Sequence, residues 1–413
     1  MSTISKRKTI KEKNRGMATF LAFALIPLSG FATDVYLPSL PNMSSALAVS
    51  EMQVQLTLSF FLISYGVSQL FIGSILDSFG RFKIGLFSLV VFAVSCLLIA
   101  NTHNIYIIYF MRIVHGITVS AIVVSKRAYF VDVFEGEKLK HYLSLFTIIW
   151  STGPIVAPFI GGYLEKLFGW ESSFYFLAGF AAVLAVLEYI FSGETLQHFS
   201  EFKLAKIANI YKEMISTASF TLGIMMLGLA YSMVMVFNMT GPFIIQHHLN
   251  LSVVYAGYSS LILGLAWMIG GFIGKATINR PFIKRLSVNL VAQMVFVIIM
   301  ILSLSFVSNL YSLIGFAFII HIAAGFTFNN YFTYCLARFP KNAGISSGLT
   351  GGLAYVMVSI LSYFIIEIFP AKDENNLSYS YLVLIVASVI IMYLIFILDK
   401  KRKENLEIIN DKI

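Results

Sequence analysis

The chain has 413 residues, of which 58% are hydrophobic, 15% aromatic and only 12% charged, with a formal net charge of +9. Soluble domains devote about a quarter of their residues to charge, so 29 basic and 20 acidic residues cannot coat the two or three domains that a soluble chain of this length would form. The composition excludes an ordinary soluble enzyme, a disordered chain and a nucleic-acid-binding domain, and it leaves a polytopic membrane protein.

A helix needs ~20 apolar residues to cross the ~30 Å hydrocarbon core. Twelve such runs occur, near 17–38, 53–74, 84–101, 105–125, 142–164, 173–192, 217–245, 253–274, 287–307, 309–333, 345–369 and 379–398. They are continuous rather than alternating, which favours helices over barrel strands. The expected fold is an all-α polytopic membrane protein with twelve transmembrane helices in two six-helix bundles. The basic stretch Lys6 to Arg15 leads into a full-length span without a small-residue cleavage site, so it reads as a tail rather than a removable signal.

Basic residues set the expected orientation. With residues 1–16 in the cytoplasm, 26 of the 29 Lys and Arg fall in the tails and even-numbered loops; only Lys166 and Lys372 lie outside, and Arg112 lies within span 4. This positive-inside bias predicts two cytoplasmic termini and accounts for the net charge without nucleic acid. The longest internal polar stretch, 193–216, separates a bundle over 17–192 from a second over 217–398, followed by a tail over 399–413. Six plus six spans suggest duplication, and two local echoes agree with it. Asp34 and Asn238 each stand four residues before a proline, and Arg112-xxx-Gly116 is matched by His321-xxx-Gly325.

Ionisable groups inside spans cost roughly 2.5–3.5 kcal/mol on insertion scales, so each calls for a reason. In span 1, Asp34 is the only Asp well inside an apolar run. Arg112 of span 4 sits at a similar depth. The two can form a buried packing pair, or a titratable site that answers substrate and proton. Gln69 of span 2 needs a hydrogen-bond partner, as does any polar group in lipid. Between spans 2 and 3, Gly73 is read as allowing close helix approach, Gly80 as a tight turn, and Asp77 and Arg81 as bonding across helix ends. His115 is read as a packed residue. Glu188, near the inner end of span 6, reads as reaching the aqueous interface. Asn238 of span 7 and Asn329 and Asn330 of span 10 either bond between helices or line a cavity. His247 and His248 fall in an outer loop, and Glu367 ends span 11 close to water. Cys96 and Cys335 form no CxxC or Cys/His cluster, so no disulfide framework or zinc site is expected.

Three motifs carry a family resemblance. Gly73-Ser-Ile-Leu-Asp77-Ser-Phe-Gly80-Arg81-Phe-Lys83 resembles the GxLxDxxGR(R/K) loop of the major facilitator superfamily, with Phe82 where a basic residue is common. Arg112 to Gly116 resembles its RxxxG motif in helix 4. Gly153-Pro154, Pro158 and Gly161-Gly162 resemble the GP…GG motif of helix 5, found chiefly in antiporters. Asp34-Val-Tyr36-Leu37-Pro38-Ser-Leu40-Pro41 and Glu194-Thr195-Leu196 are similar to the Bcr/CflA branch of drug:proton antiporters, with Gly241-Pro242-Phe243 continuing the likeness. Departures are Val131-Asp132 for the usual Arg-Asp, Lys126-Arg127 at the end of helix 4, and Asn329 for a usual proline.

The resemblance implies proton-driven export of drugs or other small amphiphilic molecules, from the cytoplasmic (inner) membrane of a bacterium. It implies proton coupling at Asp34 and Arg112, a substrate cavity with Tyr36, Asn238 and Asn330, and a conformational latch of Gly73, Asp77, Gly80 and Arg81. The antiporter motif is Gly153, Pro154, Pro158, Gly161 and Gly162. The expected partners are a small-molecule substrate, protons and the bilayer, for a monomer without cofactor, metal or nucleic acid. No GxxxxGK(S/T) nucleotide loop is present, and no nucleophile–base cluster within the spans supports a membrane-embedded enzyme. A carrier of one metabolite or siderophore and a non-transporting sensor are the alternatives.

Overall fold

The computed structural model describes residues 10, 12–196, 199, 204–304, 306–339 and 343–410. Among these residues, twelve helices are long and apolar enough to cross a membrane: α1 (Glu12–Leu47), α2 (Glu51–Phe79), α3 (Arg81–Ala100), α4 (Ile105–Val133), α5 (Gly136–Phe168), α6 (Glu171–Phe191), α7 (Ala218–His248), α8 (Val253–Ala276), α9 (Phe282–Ser303), α10 (Leu310–Arg338), α11 (Ile345–Ile368) and α12 (Glu374–Lys400). A short helix, Leu204–Ser216, precedes α7. Within the expected tails and linker, residues 1–9, 11, 197–198, 200–203 and 411–413 lie outside the described residues.

Most helices overrun their apolar stretches, because polar residues cap and extend them. α2 opens with a capping box in which Ser50 and Gln53 satisfy each other's backbone amides, and Asn309 and Ser312 do the same for α10. α4 continues to Val133, so Lys126 and Arg127 lie inside the helix and not in the loop after it. α1 is interrupted rather than ended by its prolines: helical segments Arg15–Leu25, Leu28–Asp34 and Leu40–Leu47 are joined at Pro27 and by a 3-10 turn over Leu37–Ser39. Proline lacks an amide donor, so the carbonyl of Asp34 is left without the donor that position 38 would supply.

The chain divides into two compact units, residues 1–204 with 241–262 and residues 205–240 with 263–413. In the first unit, glycines set the closest approaches. A Cβ on Gly116 of α4 would stand 2.6 Å from the Phe61 carbonyl oxygen of α2, and one on Gly153 of α5 would stand 2.7 Å from the Pro27 carbonyl oxygen of α1. A Cβ on Gly161 would overlap the Val35 carbonyl. Gly162 meets the first turns of α8 at Val253 and Gly257, and Gly257 in turn abuts the Pro158 carbonyl. Without a hydrophobic drive between helices in lipid, such small-residue contacts supply the van der Waals packing that holds them together. Gly73 does not belong to this set. No described atom lies within 4 Å of its Cβ position, which corrects the expectation of a close approach there.

In the second unit, Gly325 of α10 packs on the Trp267 backbone of α8, while Gly271 and Gly274 of α8 receive the side chains of Asn329 and Asn330. The echo of Arg112-xxx-Gly116 in His321-xxx-Gly325 therefore corresponds to the same event in each unit. A glycine seats one helix on its neighbour, one turn beyond a fully buried basic side chain. Outward faces are apolar, as in α3, where Phe87, Val90, Val94 and Leu97 form one exposed stripe at helical spacing.

Candidate functional site

Asp34 ends the second helical segment of α1 and is 1% exposed; neither carboxylate oxygen has a hydrogen-bond partner. Arg112 of α4 is fully buried and acts on it electrostatically, yet neither carboxylate oxygen is bonded to it. The guanidinium spends its donors elsewhere. Nη1 donates to the Ala32 carbonyl (2.9 Å), Nη2 to the Tyr36 hydroxyl (3.3 Å) and Nε to the Thr57 carbonyl (3.3 Å). The Tyr36 and Phe61 rings lie 4.5 and 4.6 Å from its carbon, a cation–π arrangement worth roughly 2 kcal/mol when desolvated. His115 faces Nη1 through Nδ1 at 3.3 Å and reaches Cys96 Sγ through Nε2 at 3.4 Å. It is packed and bonded, as its sequence position suggested.

Arg112 thus grips α1 on both sides of Asp34, at residues 32 and 36, and leaves the carboxyl untouched. The reading of a simple Asp34–Arg112 packing pair does not describe this site. Burying an ionised carboxylate without a partner is costly, so ionising Asp34 here requires water or a cation to reach it. Tyr36 is fully buried and also bonded to Thr57 Oγ1 at 3.0 Å, which occupies its hydroxyl twice over.

Asn238 and Asn330 belong to the second unit. Asn238 is 9% exposed within α7. Asn330 turns its amide to the Phe326 carbonyl of its own helix at 2.8 Å, and Asn329 bonds Gly325 in the same way at 2.9 Å. Gln69 is half-buried, Glu367 is exposed at the end of α11, and His247 of the π-helical turn Ile244–His248 pairs with Glu51 at 3.3 Å.

At the other end of the first unit, the loop between α2 and α3 forms a charge network. Arg81 pairs with Asp77 at 2.8 Å, with Asp132 of α4, and with the Ala128 carbonyl at 3.0 Å. Thr195 bonds the same Asp132 at 2.7 Å. The Glu194 carboxylate accepts from the amides of Arg81 (3.1 Å) and Phe82 (3.2 Å) and from its own neighbours Thr195 and Leu196. An anion at a helix N-terminus satisfies amides the helix cannot, and it meets the positive end of the helix dipole. Gly80 makes room for it. Its φ is +100°, and a Cβ there would lie 2.6 Å from Glu194 Oε2. The expected Asp77–Arg81 bond is present, but Asp132 and Glu194, which complete the network, carried no signal of their own in the sequence beyond their place in the family pattern.

Glu188 is not at the aqueous interface. It is 2% exposed and bonds Lys126 of α4 at 2.6 Å. The extension of α4 past residue 125 created this pair and hid it from a reading that ended the span there.

Comparisons with known proteins agree with this architecture. The family model described as Major Facilitator Superfamily matches residues 21–363. The chain is 25% identical over 362 residues, 86% of its length and 90% of the relative's, to "Multidrug resistance protein MdtL" of Shewanella oneidensis. It is 35% identical over 168 residues, 41% of its length and 42% of the relative's, to "Bicyclomycin resistance protein homolog" of Haemophilus influenzae. Among solved structures, an inward-facing bacterial homologue of the human lysosomal transporter Spinster superposes with a TM-score of 0.71 at 14% identity, covering 94% of this chain and 97% of that one. With twelve membrane-length helices, the loop and helix motifs in their expected places and a family match over most of its length, this multi-pass membrane protein belongs to the Major Facilitator Superfamily.

Proposed function

We propose that the protein is a proton-coupled secondary transporter, not an enzyme, that exports drugs or other small amphiphilic molecules. The observation that carries this reading is Asp34: a carboxyl buried in α1, free of hydrogen bonds, beside an Arg112 whose hydrogen bonds go to other groups. Printed names of the relatives, multidrug resistance and bicyclomycin resistance, favour export of drug-like molecules.

In this mechanism Asp34 carries the proton. When the site opens to water the carboxylate can ionise; when the site is occluded and dry, the neutral acid is retained. A cationic or polar substrate that reaches Asp34 displaces the proton, and return of a proton releases the substrate. Arg112 and Tyr36 hold the backbone around Asp34 in place. Asn238 and Asn330 line the substrate path, and two bundles over 17–192 and 217–398 alternate around it, with Gly73, Asp77, Gly80 and Arg81 as the latch. The helix 5 motif, Gly153 to Gly162, sets close helix packing, and its likeness to the antiporter motif favours antiport. The protein acts as a monomer in the cytoplasmic membrane, with both termini in the cytoplasm. The test is a substrate panel in inverted vesicles with a pH dye inside. Wild type must couple substrate uptake to proton release, and Asp34→Asn must not. Equal coupling in both would end this reading.

A further inference from the structure

The last turn of α5 carries a further buried carboxylate, in addition to Asp34 and Glu188. Glu165 is 7% exposed, although the apolar run of span 5 ends before it. Asn42 of α1 donates to its Oε1 at 2.6 Å and the Ser39 hydroxyl also acts on the carboxyl, while its Oε2 is buried without a hydrogen bond of ordinary geometry. No cation lies within ion-pair distance among the described residues, so Glu165 is not half of a salt bridge in the way that Glu188 is.

Its place relative to Asp34 follows from the helix crossing. Gly161 abuts Val35, the residue after Asp34. Glu165 is four residues beyond Gly161, about 6 Å along α5. Asn42 is eight residues beyond Asp34, about 12–14 Å along α1 across the 3-10 turn Leu37–Ser39. Both helices thus carry Glu165 away from Asp34 in the same direction, towards the end of α5. Ser39, fully buried, stands on α1 between the two carboxyls.

Among the described residues no cation is paired with Glu165. The α1 segment Leu40–Leu47 offers no titratable side chain. Glu171 in the first turn of α6 is the charged group that acts on it electrostatically, and it is acidic. Lys166 is exposed, and from the tip of α7 Gln246 is committed to the Pro38 carbonyl at 2.8 Å while His247 turns to Glu51.

We propose that Glu165 is a second proton-binding carboxylate of this protein, standing between Asp34 and the outer face and passing protons between them. The buried orphan oxygen and the Ser39–Asn42 side of α1 make the route. This rests on Asp34 as the proton carrier and on the outer face being the one at which α5 ends.

The full chain in proteoliposomes, with pH set independently on each side, tests it. Glu165→Gln is expected to flatten the dependence of transport on outer pH, while dependence on inner pH and substrate-induced proton release in detergent stay as in wild type. Glu165→Asp is expected to restore the outer dependence. An outer-pH profile of Glu165→Gln superimposable on wild type overturns the proposal. Should that variant not fold, Asn42→Ala keeps the carboxyl and removes its donor; a shift of the outer midpoint of about one pH unit is expected, and an unmoved midpoint overturns the proposal. Proton release from Asp34→Asn equal to wild type would instead defeat the Asp34 reading, whatever the Glu165 profile.

Discussion

Replacing Glu188 with Gln leaves an ammonium buried without an anion. Lys126 Nζ lies 2.6 Å from Glu188 Oε2, and the two side chains are 11% and 2% exposed, so water cannot take the place of the carboxylate. Breaking a buried pair from one side costs about 3–5 kcal/mol, whereas replacing both partners by apolar residues of similar volume is neutral or stabilising by about 1–4 kcal/mol. Glu188 Oε1 has no partner of its own, so the native pair is incompletely compensated and the apolar swap has less to lose. Glu188→Gln is therefore expected to unfold at a clearly lower temperature, and Lys126→Met with Glu188→Leu to recover most or all of the loss. Both cysteines are buried, so a thiol-reactive fluorophore reports unfolding of purified protein in detergent. A Glu188→Gln melting curve identical to wild type would refute the argument, as would a double variant no more stable than the single one. Transport retained in the double variant would also remove Glu188 as an alternative proton carrier.

Asp34→Asn is expected to abolish proton-driven accumulation while permitting downhill exchange, and Arg112→Ala to fail more broadly because it releases α1 at residues 32 and 36; flux in proteoliposomes separates the two. Gly161→Ala forces a methyl into the Val35 carbonyl and should lose about 1–3 kcal/mol of stability, while Gly73→Ala, which meets nothing, should match wild type; the same thiol assay compares them. Glu194→Ala uncaps α3 and is expected to cost about 0.5–2 kcal/mol, measured as a lower melting temperature with the Arg81–Asp132 pair intact. Single cysteines at Lys372 and Glu213, both exposed, should label from outside and inside respectively; the reverse pattern would invert the assigned orientation.

The helical crossings were legible because the bilayer demands long apolar runs, and Arg112 stood out as a cation deep in one of them. Its partners were not legible. They are the carbonyls of Ala32 and Thr57 and two aromatic rings, and a backbone carbonyl leaves no mark in the side-chain sequence. Hydropathy falls at residue 126 and so places Lys126 in a loop, yet a helix can continue through a lysine whose charge is met by a neighbouring helix. Glu188 and Lys126 are 62 residues apart, and nothing local announces such a pair. Gly73 and Gly161 look alike as motif glycines. Only the crossing geometry separates the one that faces open space from the one pressed against a carbonyl.

Two membrane-buried carboxylates of the first unit meet opposite treatment, and the difference bears on mechanism. Glu188 has a lysine at hydrogen-bond distance, and removing the carboxylate charge would leave that ammonium buried without an anion. Asp34 has a guanidinium close by that is already divided among two carbonyls, a hydroxyl, an imidazole and two rings. A cation with these contacts acts on Asp34 through space without bonding it. In the proposed mechanism this leaves the carboxyl available to a proton, to water or to the positive group of a substrate, and exchange among these requires no ion pair to be broken. A carrier that must load and release a proton in every cycle needs this kind of group: fixed in position by its backbone, and uncommitted at its oxygens.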